Sequence, residues 1–445
     1  MTTDLRGRTF FIRTFGCQMN ENDSEKIAGI LAAAGAFPAG REEDADILIV
    51  NTCAVRAKSV EKMASYIGRL GRLKAGRKVR IGVTGCVAQV EGKALTVGRK
   101  GIDFVVGPDG YLRLPRILAG AFSGPVVDTA QSPDWQEAPP LLLARSSPAS
   151  AFVTIMEGCD NFCAYCIVPL ARGREKSRPL PSIRAEVDDL GRRGYREIQF
   201  LGQNVNSYRD PASGTGFASL LEETARRPGP EWIRFVTSHP RNFGPEIIEA
   251  MAASPRICRQ LHLPLQSGSS GVLDRMNRGY TRAEYLDLAA RLRKRLPGIA
   301  LSTDIIVGFP GETEAEFQDT LTALEEIRFA AIFSFRYSPR PGTASSRIPD
   351  DVPLEAKRRR LIEVQALQKR LQTDFHRGLV GRVLRVLATG PGKKDASAFS
   401  GRTEGGQVVN FRAAADVTGR FLDIEITGAG PYSLRGRIAG AADPI

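Results

Sequence analysis

The chain has 445 residues, 42% of them hydrophobic, and carries 62 Lys and Arg against 49 Asp and Glu, a formal net charge of +13. That length argues for two or three domains rather than one core, and the charge points to a polyanionic partner such as a nucleic acid, because Lys and Arg that neutralise phosphates release counterions. No apolar run approaches the roughly 20 residues of a membrane span, the start MTTDLRGRTF lacks the apolar core of a signal peptide, and seven cysteines are too sparse for a disulfide scaffold, so a cytoplasmic protein without a membrane role is expected.

Residues 1–125 alternate apolar runs with amphipathic stretches. Three runs end in cysteine: TFFIRTFGC at Cys17, DADILIVNTC at Cys53 and KVRIGVTGC at Cys86. Roughly 35 residues separate consecutive cysteines, which fits one strand–helix–strand step between parallel strands. Chemistry in a parallel α/β sheet collects at the carboxyl ends of the strands. The three thiols are therefore expected to meet at one sheet edge. Residues 126–149 are rich in Pro and Ser and read as an interdomain linker.

From residue 150 to 375 the alternation resumes. AFVTIMEG leads into EGCDNFCAYC, which places Cys159, Cys163 and Cys166 in the spacing C-x3-C-x2-C. REIQFLGQN, EWIRFVTSH, RQLHLPLQSG, ALSTDIIVGFPGE and AAIFSFRYSPRPG follow, with amphipathic stretches between them. Six βα units predict a partial (β/α)6 barrel. Gln203, Asn204, Ser238, His239, Gln266 and Asp304 stand where its strands end. Each alone fits a helix cap; as a set they favour a site. Arg172, Arg174, Lys176 and Arg178 follow the cysteine loop. They read as RNA contacts at the site mouth, with plain surface charge as the alternative. Cys258 sits within an apolar-flanked segment and reads as packing.

Residues 353–373 read as a basic helix carrying Lys357, Arg358, Arg359 and Arg360. Residues 376–445 hold short strands separated by Gly, the pattern of a small β-barrel and a plausible RNA-binding appendix. GPGKKD within it lacks the phosphate-loop form and reads as a hairpin. The chain is thus expected to be α/β throughout its first two domains: an N-terminal parallel-sheet domain, a partial barrel, and a C-terminal β-barrel.

Thiolates select zinc, copper(I) or iron–sulfur clusters. A structural zinc needs a fourth ligand, and no His stands near Cys159–Cys166. A [4Fe–4S] cluster held by three thiolates leaves one iron open for an exchangeable ligand.

The loop, with Tyr165 before its last Cys, resembles the cluster loop of radical S-adenosylmethionine (SAM) enzymes. Across the whole chain, FGCQMNENDSEK, NTCAVR, TGCVAQ, EGCDNFCAYCIVPLARGREKSRP, LGQNVNSY, LHLPLQSGS, DIIVGFPGET and YSPRPGTAS resemble the tRNA methylthiotransferase family. That resemblance implies a methylthiotransferase N-terminal domain, a radical SAM core and a C-terminal TRAM domain. It implies that Cys159, Cys163 and Cys166 hold one [4Fe–4S] cluster and that Cys17, Cys53 and Cys86 hold a second, which takes part in sulfur insertion. SAM would bind the open iron, with Tyr165, Gly202, Gln203, Asn204, Ser238, Gln266 and Asp304 around it. FGCQMN and EGCDNFC resemble the branch that adds a methylthio group at C2 of N6-dimethylallyladenosine beside the tRNA anticodon. Sister branches act on threonylcarbamoyladenosine or on a ribosomal protein. A non-catalytic RNA-binding protein with structural metal is the reading from another class. A reductant such as flavodoxin or ferredoxin and a monomeric state are expected. The implied chemistry requires no acid or base of raised pKa, and no residue is assigned that role.

Overall fold

The computed structural model describes residues 4–97, 101–120, 123–137, 144–392 and 398–440. In the N-terminal domain β1 (Thr9–Phe15), β2 (Phe37–Pro38), β3 (Ile47–Thr52), β4 (Arg80–Thr84), β5 (Phe104–Val106) and β6 (Val126–Asp128) form one sheet in the order β2-β1-β3-β4-β5-β6. Every pairing is parallel. Helices α1 (Gln18–Ala33), α2 (Ala57–Ala75), α3 (Cys86–Glu91) and α4 (Leu114–Ala119) connect the strands. The central strand β3 is buried along its whole length, as expected of a parallel strand covered on both faces. Its side chains alternate: Leu48 and Val50 join one core with Ile67 and Leu70. Ile47 and Ile49 join the other with Ile27 and Leu31.

β6 lies inside the stretch expected to be linker. Its pairing with β5 makes Val126–Asp128 part of the first domain, so the linker begins after Asp128. VVD is too short a run to mark as a strand on its own. Part of that stretch, 138–143, lies outside the described residues, as do residues 393–397, which include the KKD of GPGKKD expected to form a hairpin.

The second domain begins with β7 (Ser150–Thr154). A short antiparallel pair, β8 (Met156–Glu157) with β9 (Lys176–Ser177), clasps the two ends of the cysteine loop, and α5 (Val168–Arg172) lies within it. Then come α6 (Leu180–Arg192), β10 (Glu197–Leu201), α7 (Phe217–Arg226), β11 (Trp232–Phe235), α8 (Pro245–Ala253), β12 (Gln260–His262), α9 (Ser270–Arg275), α10 (Arg282–Arg295), β13 (Ala300–Val307), α11 (Glu314–Ile327) and β14 (Ala331–Arg336). The strands run parallel as β7-β10-β11 and β12-β13-β14, and an Ile233–Ile257 bridge joins the halves. Among the described residues no pairing closes β14 onto β7, so this is the expected partial (β/α)6 barrel, open at one side.

Helix α12 (Leu354–Arg377) leads into the last domain. Its basic run is split: Lys357 and Arg360 are buried and pair with Asp350 and Glu312, while Arg358 and Arg359 face solvent. Five strands, β15 (Val383–Pro391), β16 (Ala398–Thr403), β17 (Val408–Arg412), β18 (Phe421–Ala429) and β19 (Leu434–Ile438), close into a barrel in the order β15-β16-β17-β19-β18. Cys258 is buried with Trp232, Ala149 and Leu387 where the two barrels meet. Arg234 donates from β11 to the carbonyls of Glu404 at 2.6 Å and Thr403 at 2.8 Å. Among the described residues no helix is long and apolar enough to cross a membrane.

Candidate active site

Cys17, Cys53 and Cys86 lie directly past the carboxyl ends of β1, β3 and β4, three adjacent strands. Cys17 caps α1, Cys53 follows β3, and Cys86 begins α3. Gly85 turns the chain into Cys86 at φ +86, and a Cβ there would stand 2.2 Å from Asn51 Oδ1; only glycine accepts both conditions. Asn51 is itself held, donating to Asn20 O and Ser24 Oγ at 2.9 Å each. The neighbouring Cys53 thiol holds the Cys17 thiol down to about 6, and Cys17 in turn pushes Cys53 up. Burial raises Cys86.

The second trio sits above the partial barrel. Gly158 at φ +80 starts the loop, where a Cβ would meet Arg174 O at 1.9 Å. Its N–H donates to Gln203 Oε1 at 2.6 Å. Arg278 Nη1 donates to Cys163 Sγ at 3.3 Å, and His239 Nε2 approaches the same sulfur at 3.9 Å. His239 Nδ1 accepts from Arg241 N at 3.3 Å, so the ring carries its proton on Nε2, pointed at Cys163. Burial, then Arg278 and Arg241, push this histidine down to about 2 and keep it neutral. Burial raises Cys159 to about 11 and Cys166 to about 12.

The two trios are joined by α5. Cys166 Sγ accepts from Val168 N at 3.4 Å at its start, and Arg172 Nε donates to Cys86 Sγ at 3.3 Å at its end. Arg172 also pairs with Asp23 of α1, which accepts from Tyr111 at 3.2 Å. Further interdomain contacts surround this one: Lys176 with Asp109 at 2.9 Å, Lys26 with Glu157 at 3.4 Å, and Thr154 Oγ1 donating to Asn22 Oδ1 at 2.7 Å. The RNA role expected of the basic residues after the cysteine loop is thereby corrected. Arg172, Lys176 and Arg178 are at most 6% exposed and are taken up by carboxylates. Only Arg174 reaches solvent, beside Asp160.

The polar strand-end residues gather at the barrel mouth. Asn204 Oδ1, Ser238 Oγ and Gln266 Oε1 are buried without a hydrogen-bond partner. Buried polar atoms are seldom left so, and these match a polar ligand. Thr237 and Gln266 hold φ of 69° and 71°, strain of the kind that concentrates at binding sites. Asn204 precedes a 3-10 turn yet makes no capping bond, so the cap explanation fails there. Gly202 leaves no room for a side chain: a Cβ there would stand 2.5 Å from Met156 Cγ. Tyr165 lies at the loop's end, with Arg278 Nη1 donating to its hydroxyl at 3.3 Å. Asp304 stands apart, deeper on β13, where its Oδ2 is 3.2 Å from His262 Nε2. Glu312 of the GFPGE turn is engaged by Gly308 N at 2.5 Å and Arg360 at 2.9 Å, a packing role.

Sequence reasoning missed His262, whose Nδ1 lies 3.1 Å from Ser302 Oγ, and missed Arg278. HLPLQSG gives no signal that its histidine meets an aspartate 42 residues further on. A cavity of about 390 Å³ lies at the opposite end of the barrel, lined by Arg293, Ile299 and Leu371 among others, away from both cysteine trios.

The donor set fits iron–sulfur clusters. Each trio is thiol-only, all seven cysteines are free, and a buried guanidinium faces one sulfur of each trio.

Residues 9–107 match the profile described as Uncharacterized protein family UPF0004, residues 153–324 the Radical SAM superfamily, and residues 377–439 the TRAM domain. A protein of Acidovorax sp. (strain JS42) named tRNA-2-methylthio-N(6)-dimethylallyladenosine synthase is 46% identical over 435 residues, 96% of this chain and 97% of its own. One of the same name in Geobacter metallireducens is 44% identical over 436 residues, covering 97% and 98%. The solved radical SAM methyltransferase TsrM from Kitasatospora setae shares the fold, with a TM-score of 0.56 at 16% identity over 76% of this chain and 75% of that one.

Proposed function

Because this chain belongs to the family of tRNA-2-methylthio-N6-dimethylallyladenosine synthases, we propose that it places a methylthio group on C2 of N6-dimethylallyladenosine, at position 37 beside the anticodon of tRNA. It is a radical SAM enzyme that uses SAM and an iron–sulfur cluster. The finer reading is that there are two [4Fe–4S] clusters, one on Cys159, Cys163 and Cys166 and one on Cys17, Cys53 and Cys86. When bound, the first would supply one-electron reducing chemistry for the cleavage of SAM, and the second would take part in sulfur insertion.

The chain's own residues orient the cysteine loop and line the mouth. Arg278 and the neutral His239 donate toward Cys163 and fix where its sulfur points. Gln203 pins the loop through Gly158. Asn204, Ser238 and Gln266 offer unpaired polar atoms to the amino, carboxylate and ribose groups of SAM, with Tyr165 and Gly202 beside them. The observation that carries the two-cluster reading is α5, which runs from Cys166 to the Arg172–Cys86 contact. This one short helix ties the two thiol trios together, with one sulfur of each bonded at its two ends. A small flavodoxin or ferredoxin is the proposed electron source, and the enzyme works as a cytoplasmic monomer.

Anaerobic reconstitution followed by nucleoside mass spectrometry of treated tRNA tests this. About eight irons per chain and appearance of the 2-methylthio nucleoside are expected. Stoichiometric zinc with little iron, or unchanged dimethylallyladenosine, rejects it.

A further inference from the structure

We infer that Phe333 and Phe335, with the His262–Asp304 pair beside them, form the seat that reads the N6-dimethylallyl adenine; this deepens the function proposed above and rests on it. Side chains alternate along β13. Thr303, Ile305 and Val307 are fully buried against the helices, so Ser302, Asp304 and Ile306 face the barrel interior. Parallel register sets Phe333 opposite Asp304 and Phe335 opposite Ile306, on that same interior face. Ile332, on the other face, is 1% exposed, yet Phe333 is 50% and Phe335 41% exposed.

Two large aromatic rings open to solvent inside a barrel mouth are unusual for a stable surface and mark a contact. β14 is the last strand of the barrel and, among the described residues, pairs on one side only, so their face is reachable through the open side of the barrel. The Phe333 ring meets the His262 ring edge-on, 5.9 Å between centroids at 68°. His262 takes Oδ2 of Asp304 and leaves Oδ1 without a partner among the described residues.

The occupant follows from these three features together. An unstacked purine stacks on aromatic side chains. Its dimethylallyl substituent is a branched five-carbon apolar group that needs an apolar wall, which the second ring supplies. Alkylation leaves N6 one hydrogen, and the free Asp304 oxygen accepts one. A polar threonylcarbamoyl substituent would lose water to the same wall without a hydrogen bond in return. Arg336, exposed at the end of β14, suits a neighbouring phosphate.

The test uses the reconstituted enzyme and two fluorescein-labelled anticodon stem-loops, one with the dimethylallyl group on the target adenosine and one without. Wild type is expected to bind the alkylated RNA about tenfold more tightly, the scale a small apolar group provides in a hydrophobic pocket. Phe333→Ala and Phe335→Ala are each expected to reduce that preference at least threefold, with the slope of affinity against salt unchanged, since no phosphate contact is removed. Phe333→Tyr should restore it. The seat is overturned if both alanine variants, folded by circular dichroism, keep the preference. It is equally overturned if they lose SAM binding by equilibrium dialysis and keep the RNA preference. Wild-type enzyme that methylthiolates neither RNA instead overturns the function on which the seat rests.

Discussion

Arg172 Nε donates to Cys86 Sγ at 3.3 Å although the two residues come from different domains. The same guanidinium pairs with Asp23, and both partners are almost fully buried. A charge pair of this kind is worth little against an apolar replacement, but breaking it leaves one ion stranded.

Arg172→Met therefore strands Asp23, and a loss of about 3–5 kcal/mol is expected, read from chemical unfolding of the metal-free protein. Adding Asp23→Asn removes the stranded charge, so the double variant should be more stable than Arg172→Met alone. Equal stability of the two would show that the pair is not coupled.

The two cysteine trios should separate in their effects. Cys163→Ala is expected to abolish SAM cleavage and methylthiolation together, because Cys163 sits on the loop above the barrel. Cys53→Ala should remove methylthiolation while SAM cleavage continues. Iron should fall from about eight to about four per chain in either variant. Loss of SAM cleavage in a folded Cys53→Ala protein would contradict the assigned roles.

His239 carries a pH prediction. Its folded pKa is about 2, below the roughly 6.5 of an unfolded histidine. Between those values the unfolded chain binds the extra proton, so stability falls as pH drops below about 6.5. One such site contributes a slope of roughly 1.4 kcal/mol per pH unit. His239→Asn, which keeps an acceptor for Arg241 N, should flatten the stability–pH curve of metal-free protein between about pH 6 and 4 by that slope. Parallel curves would refute it.

Gly158→Ala tests the base of the cysteine loop. The added methyl would lie 1.9 Å from Arg174 O at φ +80, a position that costs a non-glycine residue about 1–3 kcal/mol before any clash. Iron at the barrel site is expected to be lost, with about four irons per chain retained on the N-terminal trio. Full iron content would show that the loop tolerates the shift.

The domain order, the strand-end positions of Cys17, Cys53 and Cys86, and the C-x3-C-x2-C loop were legible in the chain because strand–turn spacing is local. An apolar run ending in cysteine reveals where that cysteine will stand whatever surrounds it. Partnership across domains is a different matter. Arg172, Lys176 and Arg178 read as a basic patch, yet Asp23, Asp109 and Glu186 bury them. Charge along the chain does not reveal whether a carboxylate waits far away in sequence. The His262–Asp304 pair likewise exists only because parallel register sets β12 beside β13, and the exposed face of Phe333 and Phe335 only because the barrel stops one side short of closing. Local spacing determined where the chemistry stands; which charges hold the domains together, and which aromatics remain free for a substrate, was decided by packing.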